Sequence, residues 1–145
     1  MKKKRILLID DEVGFTRLLK WNLEQTDDYE VRVENGPEQA VNAAREFQPD
    51  VVLLDVIMPR MIGNEVAQRL RADKFFGTTP IIFLSAVGGR KSGEACNGAL
   101  DQFPFISKPA SVEELIDGIE RHLPKVPRER TTFPPPRAPA SVLRF

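Results

Sequence analysis

The sequence has little of what marks secreted and membrane proteins. It contains a single cysteine, Cys96, so no internal disulfide can form, which fits a reducing compartment. No apolar run approaches the roughly 20 residues that a membrane-spanning helix needs. The basic start "MKKKR" is followed by only four apolar residues, Ile6–Ile9, which is too short for a secretion signal. We therefore expect a cytoplasmic protein with no membrane association.

The chain as a whole also lacks net charge, but its charges are unevenly distributed. Residues 125–145 carry five basic residues and one acidic residue, a net charge of +4, which leaves residues 1–124 at −4. This segment contains five prolines and few apolar residues, which is typical of disorder. We expect one folded domain over 1–124 and a basic, proline-rich, disordered tail over 125–145.

Hydrophobic patterning predicts strands and helices in alternation. Strands are predicted at 5–9, 29–34, 51–54, 80–84 and 103–106. Helices are predicted at 13–25, 37–48, 64–72, 90–99 and 112–123. Most of the strands are apolar on both faces, which indicates a parallel sheet covered by helices on both sides. The predicted fold class is α/β, a doubly wound five-stranded parallel sheet of the flavodoxin-like order 2-1-3-4-5.

The first helix presents an apolar stripe and one residue outside it. Phe15, Leu18, Leu19 and Leu23 follow helical spacing and are predicted to face the core. Trp21 lies off this stripe. It either covers the edge of a neighbouring helix or is a candidate partner contact.

Polar side chains follow the predicted strands at their carboxyl ends, where open parallel sheets bind ligands. Asp10 and Asp11 follow strand one, Asp55 follows strand three, Ser85 strand four and Lys108 strand five. Three clustered carboxylates would raise one another's pKa unless a cation lay between them. Mg²⁺ binds one or two carboxylates, keeps several waters and accepts phosphate oxygen. We therefore predict a Mg²⁺ site with phosphoryl chemistry.

In this arrangement Asp55 would be a carboxylate nucleophile that attacks phosphorus and becomes an aspartyl phosphate. The transferred group carries negative charge on its oxygens. Lys108 and the Ser85 hydroxyl would stabilise that charge together with Mg²⁺.

The stretches "ILLIDDE", "LLDVIMPRMIG", "IIFLSA" and "FISKP" together resemble the receiver domain of two-component response regulators, of the single-domain type found in chemotaxis regulators. The resemblance covers nearly all of 5–123. It implies that Asp55 accepts phosphate from a histidine kinase or a histidine phosphotransfer protein. It also implies that Asp11 and Asp55 bind Mg²⁺ directly, Asp10 mainly through water, and Ile57 through its backbone carbonyl.

The resemblance further implies a switch that alters partner binding on the face between the fourth strand and the fifth helix. Ser85 and Phe105 match the switch hydroxyl and the switch aromatic, and Lys108 matches the phosphate-binding lysine. Phe105 stands where a tyrosine is often found, so it has no hydroxyl to donate. The "GALDQFPF" stretch places Gly98-Ala99 further upstream than the family pattern.

Other functions remain open at this point. A Mg²⁺-dependent aspartyl-phosphate phosphatase would need an acid two residues after its nucleophile, and position 57 is Ile. An interaction module that takes no phosphate would not need the acidic cluster. A receiver segment of a longer regulator, with 125–145 as the start of a linker, is the third alternative. The tail is too short for a DNA-binding fold, so we expect no direct nucleic acid binding. The resemblance implies that the protein is not an enzyme but a phosphoacceptor that assists its own phosphotransfer and dephosphorylation. We expect a downstream protein partner that the sequence does not name.

Overall fold

The computed structural model describes residues 2–56, 58, 63–74, 76–85, 103–108 and 111–124. Within them, the strands are β1 (Lys4–Ile9), β2 (Tyr29–Glu34), β3 (Val51–Asp55), β4 (Ile81–Ser85) and β5 (Phe105–Ser107). The helices are α1 (Val13–Glu24), α2 (Ala40–Phe47), α3 (Gly63–Ala72) and α4 (Val112–His122), with a 3₁₀ turn at Pro37–Gln39 before α2. The predicted helix at 90–99 and the predicted tail at 125–145 lie outside the described residues.

The five strands form one parallel sheet in the order β2-β1-β3-β4-β5, which confirms the predicted fold class and strand order. Ile9 pairs with Leu54, and Asp55 pairs with Leu84. Because the strands are parallel and in register, the residues that follow β1 and β3 emerge side by side at one edge of the sheet.

Each face of the sheet has its own hydrophobic core, as strands apolar on both faces predict. Leu7, Ile9, Leu54 and Phe83 pack toward α2 and α3. Alternate residues of the same strands pack with α1 and α4 on the opposite face. The central strands are therefore almost wholly inaccessible, and their polar ends are held on a rigid frame.

The prediction that Leu18 faces the core is wrong, since 61% of it is exposed. The buried stripe of α1 is formed by Thr16, Leu19 and Leu23 instead. Thr16 can take an interior position because its hydroxyl donates to the Val13 carbonyl at 3.0 Å. A hydrogen-bonded threonine is tolerated in the interior, whereas an unpaired one would not be.

The element boundaries differ from the predicted ones by a few residues, most clearly at β5. This strand begins at Phe105 rather than at 103. Phe103 is buried against the edge of the Phe83 ring, with centroids 5.2 Å apart, and Pro104 has no N–H to donate to a neighbouring strand. Ser111 caps the start of α4, because its hydroxyl accepts the Glu114 N–H at 3.1 Å. Among the described residues no helix combines the length and the apolar character that crossing a bilayer requires.

Candidate functional site

Three carboxylates lie together at the carboxyl edge of β1 and β3. Asp10, Asp11 and Asp55 each offer an oxygen atom within 4.8 Å of the other two. Asp10 is fully buried and Asp55 is 7% exposed, while Asp11 is partly exposed. The sequence prediction that these residues converge is confirmed for the three side chains.

Lys108, which follows β5, extends across the sheet edge to this cluster. Its Nζ atom donates to Asp10 Oδ2 at 2.6 Å and lies 3.5 Å from Asp55 Oδ1. The same ammonium lies 4.4 Å above the centroid of the Phe15 ring, a favourable cation–π position. Lys108 is therefore held between two carboxylates and an aromatic face, as its position after the fifth strand predicts.

The acceptor atoms of Asp10 are already engaged by the protein. Oδ1 accepts the Glu12 N–H at 3.0 Å, Oδ2 accepts from Lys108, and the main-chain carbonyl accepts from Asn35 Nδ2 at 2.7 Å. The Asp11 carboxylate makes no hydrogen bond or ion pair with the described part of the chain. The Asp10 carboxylate thus has fewer unused acceptor positions than the Asp11 carboxylate.

The surroundings of Asp55 and Lys108 shift the pKa values of both groups. Burial raises the pKa of Asp55 from 3.8 to about 6; the Asp10 charge also raises this pKa, and Lys108 opposes the rise. Burial alone would lower the pKa of Lys108, but its hydrogen bond to Asp10 and the charges of Asp10 and Asp55 raise it. At neutral pH the site holds a cationic lysine and a carboxylate that is ionised at an energetic cost.

The donor set fits a hard divalent cation. Carboxylate oxygens are the ligands that Mg²⁺ prefers, and it needs only one or two of them beside water. Three carboxylates and one ammonium leave a net charge of −2 at full ionisation, which one divalent ion neutralises. A cation bound between Asp11 and Asp55 would also relieve the repulsion that raises the Asp55 pKa.

Two predicted site residues stay predictions. Ile57 lies outside the described residues, so its carbonyl is not placed. The backbone of Ser85 ends β4 and pairs with Ser107, whereas its side chain is outside the described part. Their expected roles as metal ligand and switch hydroxyl are therefore carried into the proposed function.

Phe105 and Trp21 occupy contrasting positions. Phe105 is partly buried and stacks on Phe83, with ring centroids 5.6 Å apart and an interplanar angle of 30°. Trp21 is 62% exposed on α1, and Leu18 is beside it one helical turn away. This exposure argues against Trp21 covering a neighbouring helix and leaves the partner contact as its expected role.

Sequence reasoning missed a glycine that the site needs. The Cβ of any other residue at Gly63 would lie 2.3 Å from the Asp55 carbonyl oxygen and 3.0 Å from Val56 Cα. The Gly63 N–H donates to the Val56 carbonyl at 2.7 Å. Helix α3 can approach the strand end that bears Asp55 only because position 63 has no side chain. The available signal was the glycine that closes "PRMIG", directly before the helical pattern.

A doubly wound parallel α/β sheet with clustered carboxylates and a lysine at its carboxyl edge defines a class of domain whose site is suited to a divalent cation. The comparison with protein families identifies which one. The family model described as the response regulator receiver domain matches residues 6–120. The chain belongs to the response regulator receiver domain family.

Curated relatives and solved structures agree with this assignment. The chain is 34% identical over 127 residues to the DNA-binding dual master transcriptional regulator RpaA of Synechocystis, covering 86% of this chain and 51% of that protein. It is 39% identical over 83 residues to the alkaline phosphatase synthesis transcriptional regulatory protein PhoP of Bacillus subtilis, covering 57% of this chain and 33% of that protein. The structure of the chemotaxis protein CheY4 of Vibrio cholerae has a TM-score of 0.72 at 26% identity, covering 84% of this chain and all of that one. The chain spans about half the length, or less, of the curated relatives it matches.

Proposed function

We propose that this protein is a phosphoacceptor signalling switch that takes a phosphoryl group from a phosphohistidine onto Asp55. The observation that carries the proposal is the meeting of Asp55 with two further carboxylates and Lys108 at the carboxyl edge of the sheet. The phosphodonor is a histidine kinase or a histidine phosphotransfer protein. Membership of the receiver family supports this chemistry.

The Asp55 carboxylate is the nucleophile. Its pKa of about 6 leaves most of it ionised at neutral pH, and burial keeps it poorly solvated and therefore reactive. One Asp55 oxygen forms a bond to phosphorus while the phosphorus–nitrogen bond of the phosphohistidine breaks, and the electron pair leaves with the imidazole. Lys108, already 3.5 Å from Asp55, needs only a small movement to pair with a phosphoryl oxygen.

The cation of this site would be Mg²⁺, held by Asp11 and Asp55 with the Ile57 carbonyl as a third protein ligand and Asp10 acting through water. When bound, Mg²⁺ neutralises charge on the transferring phosphoryl group. The hydrogen bonds that the two Asp10 carboxylate oxygens already accept, from Glu12 and Lys108, support this division of roles.

Phosphorylation would change partner binding on the surface that runs from β4 to α4. Ser85 ends β4 and Lys108 follows β5, so a phosphoryl group on Asp55 could draw both toward itself. Phe105, stacked on Phe83, lies between them in the chain and would respond to the movement. The downstream target is a protein, and the phosphorylation chemistry serves signalling rather than turnover of a substrate.

The exposed pair Leu18 and Trp21 is our candidate contact for the phosphodonor. Helix α1 begins at Val13, two residues after Asp11, so its start lies beside the acidic cluster. Changing Trp21 to Ala should slow transfer from a phosphorylated histidine phosphotransfer protein but leave transfer from acetyl phosphate unchanged. Gln68→Ala, an exposed change on α3, is the control, and equal slowing with both donors would contradict this role.

A second candidate is supported by the relatives, which are longer than this chain, since the matches cover 51% and 33% of two of them. In it the protein is the receiver segment of a longer regulator, and 125–145 begins a linker. The chemistry at Asp55 is the same in both cases. The phosphatase alternative is disfavoured, because position 57 is Ile rather than an acid.

The proposal is tested by incubation with Mg²⁺ and acetyl phosphate followed by intact mass measurement. We expect one added phosphoryl group, stable to brief acid denaturation and released by hydroxylamine, as an acyl phosphate should be. The label should be absent in Asp55→Asn and in EDTA, while Asp28→Asn, an exposed control, should label normally. Equal labelling of Asp55→Asn and the unaltered protein would overturn the assignment.

A further inference from the structure

An amide outside the acidic cluster holds the main chain between its first two members. Asn35 directly follows β2, and its Nδ2 atom donates to the Asp10 carbonyl oxygen at 2.7 Å and to Thr16 Oγ1 at 3.1 Å. A side-chain amide has two N–H groups, so both are committed. The Asp10 N–H in turn donates to the Glu34 carbonyl at 3.2 Å. The end of β2 is thus hydrogen-bonded to both the N–H and the carbonyl group of Asp10.

The Asp10 carbonyl that accepts from Asn35 belongs to the peptide unit that joins Asp10 to Asp11. This unit is planar, so its orientation sets the direction in which the chain enters Asp11. The Asp11 side chain has no hydrogen bond of its own with the described residues. Its direction is therefore determined mainly by the main chain that carries it.

Thr16 orients the Asn35 side-chain amide, and this amide in turn holds the peptide that joins Asp10 to Asp11. Thr16 is fully buried in α1, its hydroxyl donates to the Val13 carbonyl at 3.0 Å, and the oxygen accepts from Asn35. A hydroxyl with its one proton engaged presents its lone pair in a defined direction. Asn35, from a distant part of the chain, thereby joins the Asp10–Asp11 peptide to the interior of α1.

We propose that Asn35 and Thr16 are positioning residues, which aim the Asp11 carboxylate at the cation site that it shares with Asp55. The inference rests on the proposed function, since it concerns the affinity of that site for Mg²⁺. A purely structural role for the two residues would change the stability of the fold and leave the metal affinity of the folded protein unchanged. The two roles are therefore separable by experiment.

The test is calorimetric titration of the full chain with MgCl₂ at neutral pH. Thr16→Val keeps the shape and removes the acceptor, Thr16→Ser restores it, and Asn35→Leu removes the amide. Loss of one hydrogen bond of ordinary net strength corresponds to between about twofold and tenfold in affinity. We expect Asn35→Leu and Thr16→Val to weaken Mg²⁺ binding by that factor and Thr16→Ser to bind like the unaltered protein. The double variant should lose no more than Asn35→Leu alone, because Thr16 acts through Asn35.

A second readout separates positioning from chemistry. The Mg²⁺ concentration that gives half the maximal rate of labelling by acetyl phosphate should rise in Asn35→Leu, while the rate at saturating Mg²⁺ should stay near that of the unaltered protein. Asn42→Ala is the matched control, since this exposed amide lies on α2 and donates to Gln39. Ile119→Val, a buried change on α4, controls for lost stability alone.

The outcomes are distinct. Mg²⁺ affinity that is equal in Asn35→Leu, Thr16→Val and the unaltered protein would overturn the inference and leave the proposed function standing. Weakening of the same size in Ile119→Val would also overturn it, since stability would then explain the effect. An unaltered protein that binds no Mg²⁺ would refute the metal site itself, and the inference with it.

Discussion

Replacing Asp55 by asparagine should stabilise the metal-free protein at neutral pH. Asp55 is buried beside Asp10, and its pKa is raised from 3.8 to about 6. A carboxyl group whose pKa is higher in the folded state binds protons more tightly there. The folded state is then favoured as the pH falls through the interval between these two values and is penalised above it.

The size of the penalty follows from the shift. About two pKa units at roughly 1.4 kcal/mol each correspond to about 3 kcal/mol at pH values above 6. An asparagine in place of Asp55 would not carry this charge, although its amide must find hydrogen bonds in the same place. We therefore expect Asp55→Asn to raise the free energy of unfolding by about 1 to 3 kcal/mol at pH 7.5 and by little at pH 4.

The assay is urea unfolding followed by far-ultraviolet circular dichroism in EDTA at both pH values. Asp28→Asn, an exposed carboxylate on the loop before β2, is the control and should show no such pH dependence. Mg²⁺ should reduce the difference, because a ligand at 100 times its dissociation constant stabilises the protein that binds it by about 2.7 kcal/mol. A variant no more stable than the unaltered protein at pH 7.5, or a gain that grows toward acid pH, would refute the reasoning.

Three further predictions concern the site and the tail. Gly63→Ala should lower the free energy of unfolding by about 1 to 3 kcal/mol, since the new Cβ would overlap the Asp55 carbonyl. Gly14→Ala, on the open face of α1, should raise the free energy of unfolding by about 0.5 to 1 kcal/mol. Urea unfolding measures both, and equal effects of the two substitutions would contradict this prediction. Lys108→Ala should still bind Mg²⁺ and accept phosphate. Phosphorylation should shift the amide resonances of β5 less in this variant than in the unaltered protein. Identical shifts in the two proteins would contradict the role assigned to Lys108. Deleting 125–145 should change the rate of labelling by acetyl phosphate at low salt and less so at high salt, because attraction between a +4 tail and a −4 body is screened. A truncated protein that matches the full chain at both salt concentrations would exclude docking of the tail on its own domain.

The sheet and the acidic cluster could be predicted because both follow from local pattern. Uninterrupted apolar strands require cover on both faces, and parallel strands bring their carboxyl ends to one edge, so the meeting of Asp10, Asp11 and Asp55 follows once the strands are found. Lys108 follows in the same way. No contact between distant residues needs to be known in advance for these steps.

The details that escaped prediction all depend on such contacts. Thr16 is buried while Leu18 is exposed, and the Thr16 hydroxyl oxygen accepts from Asn35, 19 positions away. The need for glycine at position 63 depends on how closely α3 approaches β3. Hydrophobic periodicity ranks side chains by hydrophobicity alone. It therefore does not predict the burial of a polar side chain whose hydrogen-bond partner lies at the end of another strand.

The place of the only tryptophan has a practical consequence for spectroscopy. Trp21 lies in the third turn of α1, about 12 Å along the helix from its first residue at a rise of about 1.5 Å per residue, and most of its ring faces solvent. Its intrinsic fluorescence should therefore change little when Mg²⁺ binds or when Asp55 is phosphorylated. The same emission should shift to shorter wavelength when a protein covers α1, so the chain carries its own optical reporter for docking, separate from its chemistry.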